Sequence, residues 1–209
     1  YYAKLWRVSR QEVLSRWKEA GLDAISGGGA EIFAEEVRKV VAPHKISGEE
    51  WLEIAELAHK MGIPSNATML YGHVEREEHV VDHIFRVKDL QERTGGLLLF
   101  IPVKFNPDNT ELKARGVVAR PAPSTYDVKV VAIARLILGD RLKVAAYWLS
   151  VGKKLASTLL LAGANDLVGT MYNEAVLTSA GARHSASVEE LAEIAREVGK
   201  TPALRDTFH

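Results

Sequence analysis

The run Asn66-Ala-Thr-Met-Leu-Tyr-Gly-His-Val-Glu75 decides the fold class of this chain. Its first six residues are typical of a short strand, which ends at Gly72 and leads into a charged helical segment. In parallel α/β folds the carboxyl ends of such strands carry the chemistry. We therefore expect functional residues at the end of this strand.

The same alternation of strand and helix recurs along the chain. Capping boxes mark three helix starts, at Ser9 with Glu12, Ser47 with Glu50, and Ser187 with Glu190. Further strand signals occur at Leu22–Ser26, Leu97–Val103, Lys143–Leu149 and near Asn165. About five strands alternating with helices, without a hairpin signal, predict an α/β fold with a parallel sheet. We expect a single domain over residues 1–209, built either as a doubly wound sheet or as part of an eight-stranded barrel.

Composition narrows the classes of partner. Of 209 residues, 47% are apolar, and 27 basic side chains balance 27 acidic ones. We therefore expect no nucleic-acid partner and no membrane partner, and we expect a cytoplasmic location. The absence of cysteine excludes disulfides and thiolate metal sites within these residues. The chain opens at Tyr1 and its first methionine is Met61, so we expect a fragment of a longer protein.

The glycines Gly27-Gly28-Gly29 follow a predicted strand, and a helical pattern is predicted to open at Ala30. A glycine turn before a helix start favours an anion or a nucleotide, because free backbone N–H groups point outward there. The alternative is a tight turn without a ligand. Glu31 is expected in the first helical turn, where a carboxylate also complements the helix dipole.

Four stretches, taken together, resemble one group of enzymes. They are Gly27-Gly-Gly-Ala-Glu-Ile-Phe33, Asn66 to Glu75, Phe100-Ile-Pro102 with Asn109-Thr110, and Gly163-Ala-Asn-Asp-Leu167 with Gly169-Thr170. Their order and spacing resemble the radical S-adenosylmethionine enzymes of the futalosine menaquinone pathway and of deazaflavin synthesis, most nearly aminofutalosine synthase. The spacing Thr68-x-Leu70-x-Gly72-x-x-Glu75 is similar to the family motif Gly-x-Ile-x-Gly-x-x-Glu, with Thr68 in place of its first glycine.

This resemblance implies a radical S-adenosylmethionine barrel of the (β/α) TIM type, an α/β fold. The chain would supply strands four to eight and the C-terminal helices, with the N-terminal strands missing. The implied cofactors are S-adenosylmethionine and a 4Fe–4S cluster, whose Cys-x-x-x-Cys-x-x-Cys ligands are not in this chain, so we expect the chain alone to be inactive. The implied partners are a small-molecule substrate and an electron donor that reduces the cluster.

The implied reaction is a transfer. The 5′-deoxyadenosyl radical would add to the enol-ether double bond of 3-[(1-carboxyvinyl)oxy]benzoate, and loss of carbon dioxide would give aminofutalosine. Dehypoxanthine futalosine cyclase and a deazaflavin (FO) synthase subunit are alternatives within the family, and an inactive barrel fragment with a binding or assembly role is an alternative outside it. Asn106 departs from the family pattern, which has histidine there in the synthase and tends to have glutamine in the cyclase.

The expected cofactor-binding residues are those of the glycine turn and of the strand end: Gly28, Gly29, Glu31, Thr68, Tyr71, Gly72 and Glu75. We expect Thr68, Tyr71 and Gly72 to face the adenosyl group. Glu75 would hold the nucleotide directly or fix the loop after Gly72. The alternative for Glu75 is a helix-dipole carboxylate.

The expected catalytic residues are His73, Asn165 and Asp166. His73 would orient or protonate the substrate, or would be a hydrogen-bonded turn residue. Asn165 and Asp166 would hold substrate or lock the barrel seam.

The expected substrate-binding residues are Lys104, Tyr147 and Trp148. Lys104 would meet a carboxylate at the barrel mouth, or would be a surface lysine. Tyr147 and Trp148 are predicted to end a strand, where one of the two rings would face inward.

A metal site is the last candidate. Glu75, His79 and His83 have the helical spacing of a two-histidine, one-carboxylate site. Three further acidic residues surround them, so we predict a solvated charged face and no metal.

Overall fold

The chain folds into helices packed on a parallel sheet. The computed structural model describes residues 1–170, 179 and 185–208. Its strands are β1 (Ser65–Tyr71), β2 (Leu97–Lys104) and β3 (Lys143–Val144). Its helices are α1 (Tyr2–Trp6), α2 (Arg10–Glu19), α3 (Glu35–Val41), α4 (Gly48–Lys60), α5 (Glu77–Thr94), α6 (Glu111–Ala114), α7 (Ser124–Leu138), α8 (Trp148–Val151), α9 (Lys153–Leu161) and α10 (Val188–Glu197).

The sheet has the order β1-β2-β3, and both pairings are parallel. In the register, Ala67 lies opposite Phe100 and Phe100 opposite Val144. One parallel bridge extends the sheet on each side, Ile25 with Ser65 and Ala145 with Asp166. Five chain segments therefore run in one direction, as the sequence predicted, and the α/β class with a parallel sheet is confirmed.

The two faces of the sheet differ because strand side chains alternate. Ala67, Met69 and Tyr71 of β1 are buried in the large core beneath α5 and α7, and Asn66, Thr68 and Leu70 between them are half-buried on the opposite face. We call this opposite face the inner face. Leu99, Ile101, Val103, Ala145, Tyr147 and Val168 form a second apolar cluster on it.

Several predicted boundaries are wrong. The segment Leu22–Ser26 contributes only the bridge at Ile25, because its neighbouring glycines bend the chain away from regular pairing. The strand predicted at Lys143–Leu149 ends early, and Trp148 begins helix α8. The helix predicted from Ala30 begins at Glu35, so Glu31 lies in the loop before it.

The long loop after β2 is also partly ordered, since it contains helix α6. In the described part of the chain, none of the helices combines the length and apolarity needed to cross a membrane.

Candidate functional site: the glycine loop and the carboxyl end of β1

The segment between Ile25 and Phe33 follows β1 along the edge of the sheet. The Asn66 N–H donates to the Ile25 carbonyl, and the Leu70 N–H donates to the Glu31 carbonyl. The edge segment thus uses six residue steps where β1 uses four, so its two extra residues form a bulge. We call residues 27–33 the glycine loop.

The glycine loop is held at every carbonyl from Gly27 to Ile32. Side chains hold most of them: Thr68 Oγ1 donates to Gly27 at 3.1 Å, Trp51 Nε1 donates to Gly28 at 3.2 Å, and the Arg38 guanidinium donates to Gly29, Ala30 and Ile32. The Leu70 N–H holds the carbonyl of Glu31.

The N–H groups of the loop, unlike its carbonyls, have no hydrogen-bond partners among the described residues. This holds for every N–H group from Gly27 to Phe33. Positive φ at Gly27, Gly29 and Glu31 alternates with other conformations at the residues between them. Such alternation turns successive N–H groups to one side and makes a concavity that binds anions. Gly28 is exposed and Gly29 and Glu31 are half-buried, so these three residues are the part of the loop that a ligand can reach.

Gly27 and Gly28 differ in the space around them. A Cβ atom on Gly27 would lie 1.7 Å from the Asn66 carbonyl oxygen, so only glycine fits there. A Cβ atom on Gly28 would meet nothing within 4 Å. Gly27 therefore allows the loop to pack closely on β1, and Gly28 leaves open space beside the loop that a ligand could occupy.

The turn after β1 is built around Glu75. Its carboxylate accepts hydrogen bonds from the N–H groups of Gly72 (2.5 Å) and His73 (2.8 Å) and from the Tyr126 hydroxyl (3.2 Å). Burial alone would raise the pKa of this carboxyl, but the bonds from His73 and Gly72 outweigh it and lower the pKa to about 2. Glu75 precedes helix α5 and is not in its first turn, and its carboxylate fixes the loop after Gly72.

His73 is enclosed in the same turn. Its Nδ1 lies 2.9 Å from a Glu75 oxygen, and its Nε2 lies 3.0 Å from the Leu70 carbonyl. The side chain is fully buried, so the ring orders the turn, and the geometry shows no face of it open to a substrate.

Tyr71 and Lys104 point toward the helices. The Tyr71 hydroxyl donates to Asp127 at 2.9 Å, and Lys104 Nζ donates to the other oxygen of the same carboxylate at 2.6 Å. Burial and Asp127 together raise the pKa of Tyr71 far above its usual value. Tyr71 therefore lies on the core face of β1, opposite the inner face that alternation gives to Thr68 and Leu70. The ammonium of Lys104 is likewise paired with a buried partner and is not displayed at an open mouth.

Tyr147 and Trp148 occupy different environments. Tyr147 is half-buried and packs against both the large core and the inner-face cluster, where a ring can line a ligand site. Trp148 is 1% exposed, and its Nε1 donates to the Gly169 carbonyl at 3.1 Å. Trp148 is therefore a core residue.

Asn165 and Asp166 join the last parallel segment to β3. The Asn165 side-chain oxygen accepts the Val144 N–H at 2.9 Å, and the Asp166 carboxylate accepts the Val168 N–H at 2.6 Å and bonds the Arg205 guanidinium. These contacts match the alternative in which the pair locks the seam.

The structure does not bring Glu75, His79 and His83 together as a metal site. His79 and His83 are buried, and Glu75 lies outside their helix, so the predicted solvated face is wrong for both histidines. His83 Nε2 lies 3.1 Å from the Thr68 carbonyl, and its ring stacks on Phe33 at 3.8 Å. Burial lowers the pKa of His83 to about 3, and Arg86 and Arg38 add to this effect against the hydrogen bond to Thr68. Among the described residues, no group of acidic or histidine side chains could hold a metal ion.

A cavity of about 160 Å³ lies elsewhere. It sits between the inner face and the C-terminal residues Arg205, Thr207 and Phe208, and its lining includes Asn66 and Lys143 at the amino ends of their strands. The carboxyl ends of the strands, where parallel folds place their chemistry, are at the opposite edge. We therefore locate the candidate site at the glycine loop and the turn after β1.

Sequence reasoning missed Arg38, Tyr126 and Asp127. Two of them had a signal, since Arg38 lies between Val37 and Val41 on the apolar face of one helix, and Asp127 lies in the first turn of a strongly apolar one. A charge on a face that packs into the core is buried and must find partners.

Comparison with known proteins identifies the family of the chain. Residues 4–87 match the model of the Radical SAM superfamily, which defines the class of the protein. Residues 94–209 match the model described as the CofH/MqnC C-terminal region. The chain belongs to the CofH/MqnC family of the radical SAM superfamily, whose members use S-adenosylmethionine and a 4Fe–4S cluster.

Three relatives show the spread of activities. The chain is 41% identical to aminodeoxyfutalosine synthase of Thermus thermophilus and 43% identical to 5-amino-6-(D-ribitylamino)uracil–L-tyrosine 4-hydroxyphenyl transferase of Methanopyrus kandleri, over all of its length. It is 39% identical, again over all of its length, to cyclic dehypoxanthine futalosine synthase of Streptomyces coelicolor. The chain spans 57%, 58% and 51% of these relatives, little more than half of their length.

Proposed function

We propose that the protein carrying this chain is a radical S-adenosylmethionine transferase similar to aminofutalosine synthase. The observation that carries the proposal is the glycine loop, which runs beside β1 from Asn66 to Leu70 and whose reachable N–H groups have no acceptor among the described residues. In this proposal the five parallel segments are strands four to eight of a (β/α) barrel in a cytoplasmic enzyme.

The residues present fit one cofactor and not the other. The glycine loop offers N–H donors and open space at Gly28, which suit the polar groups of S-adenosylmethionine. A sequence without cysteine cannot ligate a 4Fe–4S cluster through thiolates, so in this proposal the ligands come from outside these 209 residues.

When bound, the cofactors supply a 5′-deoxyadenosyl radical, with an external donor providing the electron. Confinement is then the task of the protein, since such a species must meet its substrate before it meets anything else. Gly28, Gly29 and Glu31 bind through their N–H groups, and Thr68 fixes Gly27 from the inner face. Glu75 and His73 keep the turn at Gly72 in one shape, and Tyr147 forms part of an apolar wall that excludes water.

The substrate assignment is 3-[(1-carboxyvinyl)oxy]benzoate, supported by the Asn66–Glu75 and Gly163–Leu167 runs and by the synthase among the relatives. The cyclase and the tyrosine-dependent transferase are the alternatives, favoured by relatives of similar identity. Asn106 matches neither the synthase nor the cyclase pattern, and its side-chain oxygen accepts the Asp108 N–H at 3.1 Å.

The test uses the protein as its gene encodes it, with the cluster reconstituted and a reductant present. Three mixtures each contain S-adenosylmethionine and one substrate: the enolpyruvyl benzoate, dehypoxanthine futalosine, or tyrosine with 5-amino-6-(D-ribitylamino)uracil. We expect aminofutalosine and carbon dioxide from the first alone, detected by mass. Product from another mixture assigns a sister activity. If S-adenosylmethionine is neither bound nor cleaved in any mixture, the proposal fails.

A further inference from the structure

Arg38 has an unusual set of partners. It lies in α3 and is 2% exposed, and its guanidinium donates to the backbone carbonyls of Gly29, Ala30, Ile32 and Ile46. Within the described residues no carboxylate lies at ion-pair distance from it. A buried cation is costly unless its donors are satisfied, and here backbone carbonyls satisfy them.

The partners of Arg38 determine which side of the glycine loop is presented outward. Arg38 donates to four carbonyls, and three of them belong to the glycine loop. These are three of the six consecutive carbonyls, Gly27 to Ile32, that accept a hydrogen bond. When a carbonyl is held on one side of a peptide unit, the N–H of that unit points to the other side. The reachable N–H of Glu31 lies in the peptide unit whose carbonyl, that of Ala30, Arg38 holds. The reachable N–H of Gly29 lies in the unit whose carbonyl, that of Gly28, Trp51 holds.

The loop does not keep this shape by itself. Ala30, Ile32 and Phe33 are enclosed, and their N–H groups lack acceptors among the described residues. Unsatisfied buried donors disfavour this arrangement, and Glu31 adds strain because it has φ of +50°. The guanidinium bonds are therefore needed to hold the loop open.

We propose that Arg38 is a positioning residue for the S-adenosylmethionine site, holding the carbonyls of the glycine loop so that its N–H groups face the cofactor. This inference rests on the proposed function for the identity of the ligand. A guanidinium suits the task because it carries five donors in a rigid fork, whereas an ammonium carries three on a flexible stem.

The experiment compares Arg38→Lys with the wild type in the reconstituted full-length protein. We expect the affinity for S-adenosylmethionine, measured by calorimetry without substrate, to fall at least about tenfold, since two or more carbonyls lose their donor. With substrate present, KM for S-adenosylmethionine should rise by a similar factor, with kcat within about twofold. Hydrogen exchange at the amides of residues 27–33 should accelerate while exchange in β2 stays unchanged.

Two further variants control the result. Arg135→Lys is the matched control, because Arg135 also donates to backbone carbonyls, those of Gly139 and Gly163, at the amino ends of later segments. It should leave the affinity for S-adenosylmethionine unchanged. Trp51→Phe removes only the donor to Gly28 and should weaken binding in the same direction by a smaller factor, and it serves as the test if Arg38→Lys does not fold.

Unchanged affinity and unchanged loop exchange in Arg38→Lys, or in Trp51→Phe where the first variant does not fold, would overturn the proposal. An equal loss of affinity in Arg135→Lys would overturn it as well, since the effect would then be general. If the wild type binds no S-adenosylmethionine, the proposed function fails, and faster loop exchange would still show that Arg38 orders the loop.

Discussion

The two edges of the sheet differ in which polar groups have hydrogen-bond partners. At one edge the segment that leads into the glycine loop pairs with β1 through the bridge Ile25–Ser65, and at the other edge the last segment pairs with the end of β3 through the bridge Ala145–Asp166. In the glycine loop the carbonyls are fixed and the N–H groups have no acceptor in the described part of the chain. At the second edge Asn165 and Asp166 use their side chains on neighbouring N–H groups and on Arg205.

The difference shows which glycine-flanked stretch is fit for a ligand. Donors without acceptors are available to bind, and polar groups that satisfy one another lock a seam. Both stretches resembled the same enzymes in sequence, so resemblance alone did not separate the two roles. The hydrogen-bond partners separate them.

Gly27→Ala should give the largest effect. A Cβ atom there would overlap the Asn66 carbonyl, so the free energy of unfolding should fall by more than about 3 kcal/mol. Urea denaturation followed by circular dichroism measures it. Gly116→Ala is the control, because Gly116 has a similar positive φ of +71° with nothing within 4 Å, and it should lose only about 1 kcal/mol. Equal losses would show that the loop does not pack closely on β1.

Asp166→Asn should reduce stability by about 2 kcal/mol, because it leaves Arg205 without its carboxylate. We take a value below that of a fully buried pair because the Arg205 side chain is 28% exposed. The affinity for S-adenosylmethionine should stay the same, as measured by calorimetry. A large loss of affinity at unchanged stability would instead place Asp166 in the ligand site.

Acidification should weaken the glycine-loop edge through His83. Its folded pKa of about 3 lies below the unfolded value near 6.5, so between these values the unfolded chain binds the extra proton. The stability that neutral His83 provides is complete above pH 6.5 and is lost as the pH falls. From pH 6.5 to pH 5 the loss should reach about 2 kcal/mol.

The variant His83→Gln isolates this effect from the other histidines. Denaturation curves of both proteins at pH 7, 6 and 5 give the difference in slope. Parallel pH profiles would mean that His83 titrates normally and is not enclosed against Phe33.

Gly28→Ala should have the smallest effect on stability, within about 0.5 kcal/mol, because the added methyl meets open space. It should nevertheless lower the affinity for S-adenosylmethionine, since the methyl occupies the space in front of the loop. The comparison of unfolding free energy with calorimetric affinity separates the two effects. Unchanged affinity would mean that the ligand does not approach this glycine.

Local patterns predicted much of the fold. The strands β1 and β2 lie within one or two residues of their predicted bounds, and three helices begin at the predicted caps Ser9, Ser47 and Ser187. These features depend on neighbours in sequence, because side-chain alternation and capping act over two to four residues. The end of β3 was mispredicted because the apolar run through Trp148 fits a strand and a buried helix equally well.

The sequence by itself determined the α/β class, the parallel sheet, the family resemblance and the stretches that hold the candidate site. Tertiary structure alone decided what each polar residue does there: Glu75 fixes a turn, Lys104 pairs with Asp127, and Arg38 holds the glycine loop. The physical reason is that these roles depend on which groups the fold brings together, some of them far along the chain, such as Tyr71 and Asp127, which are 56 positions apart. Burial removes water as an alternative partner, so the fold determines which groups meet and which are left to bind a ligand.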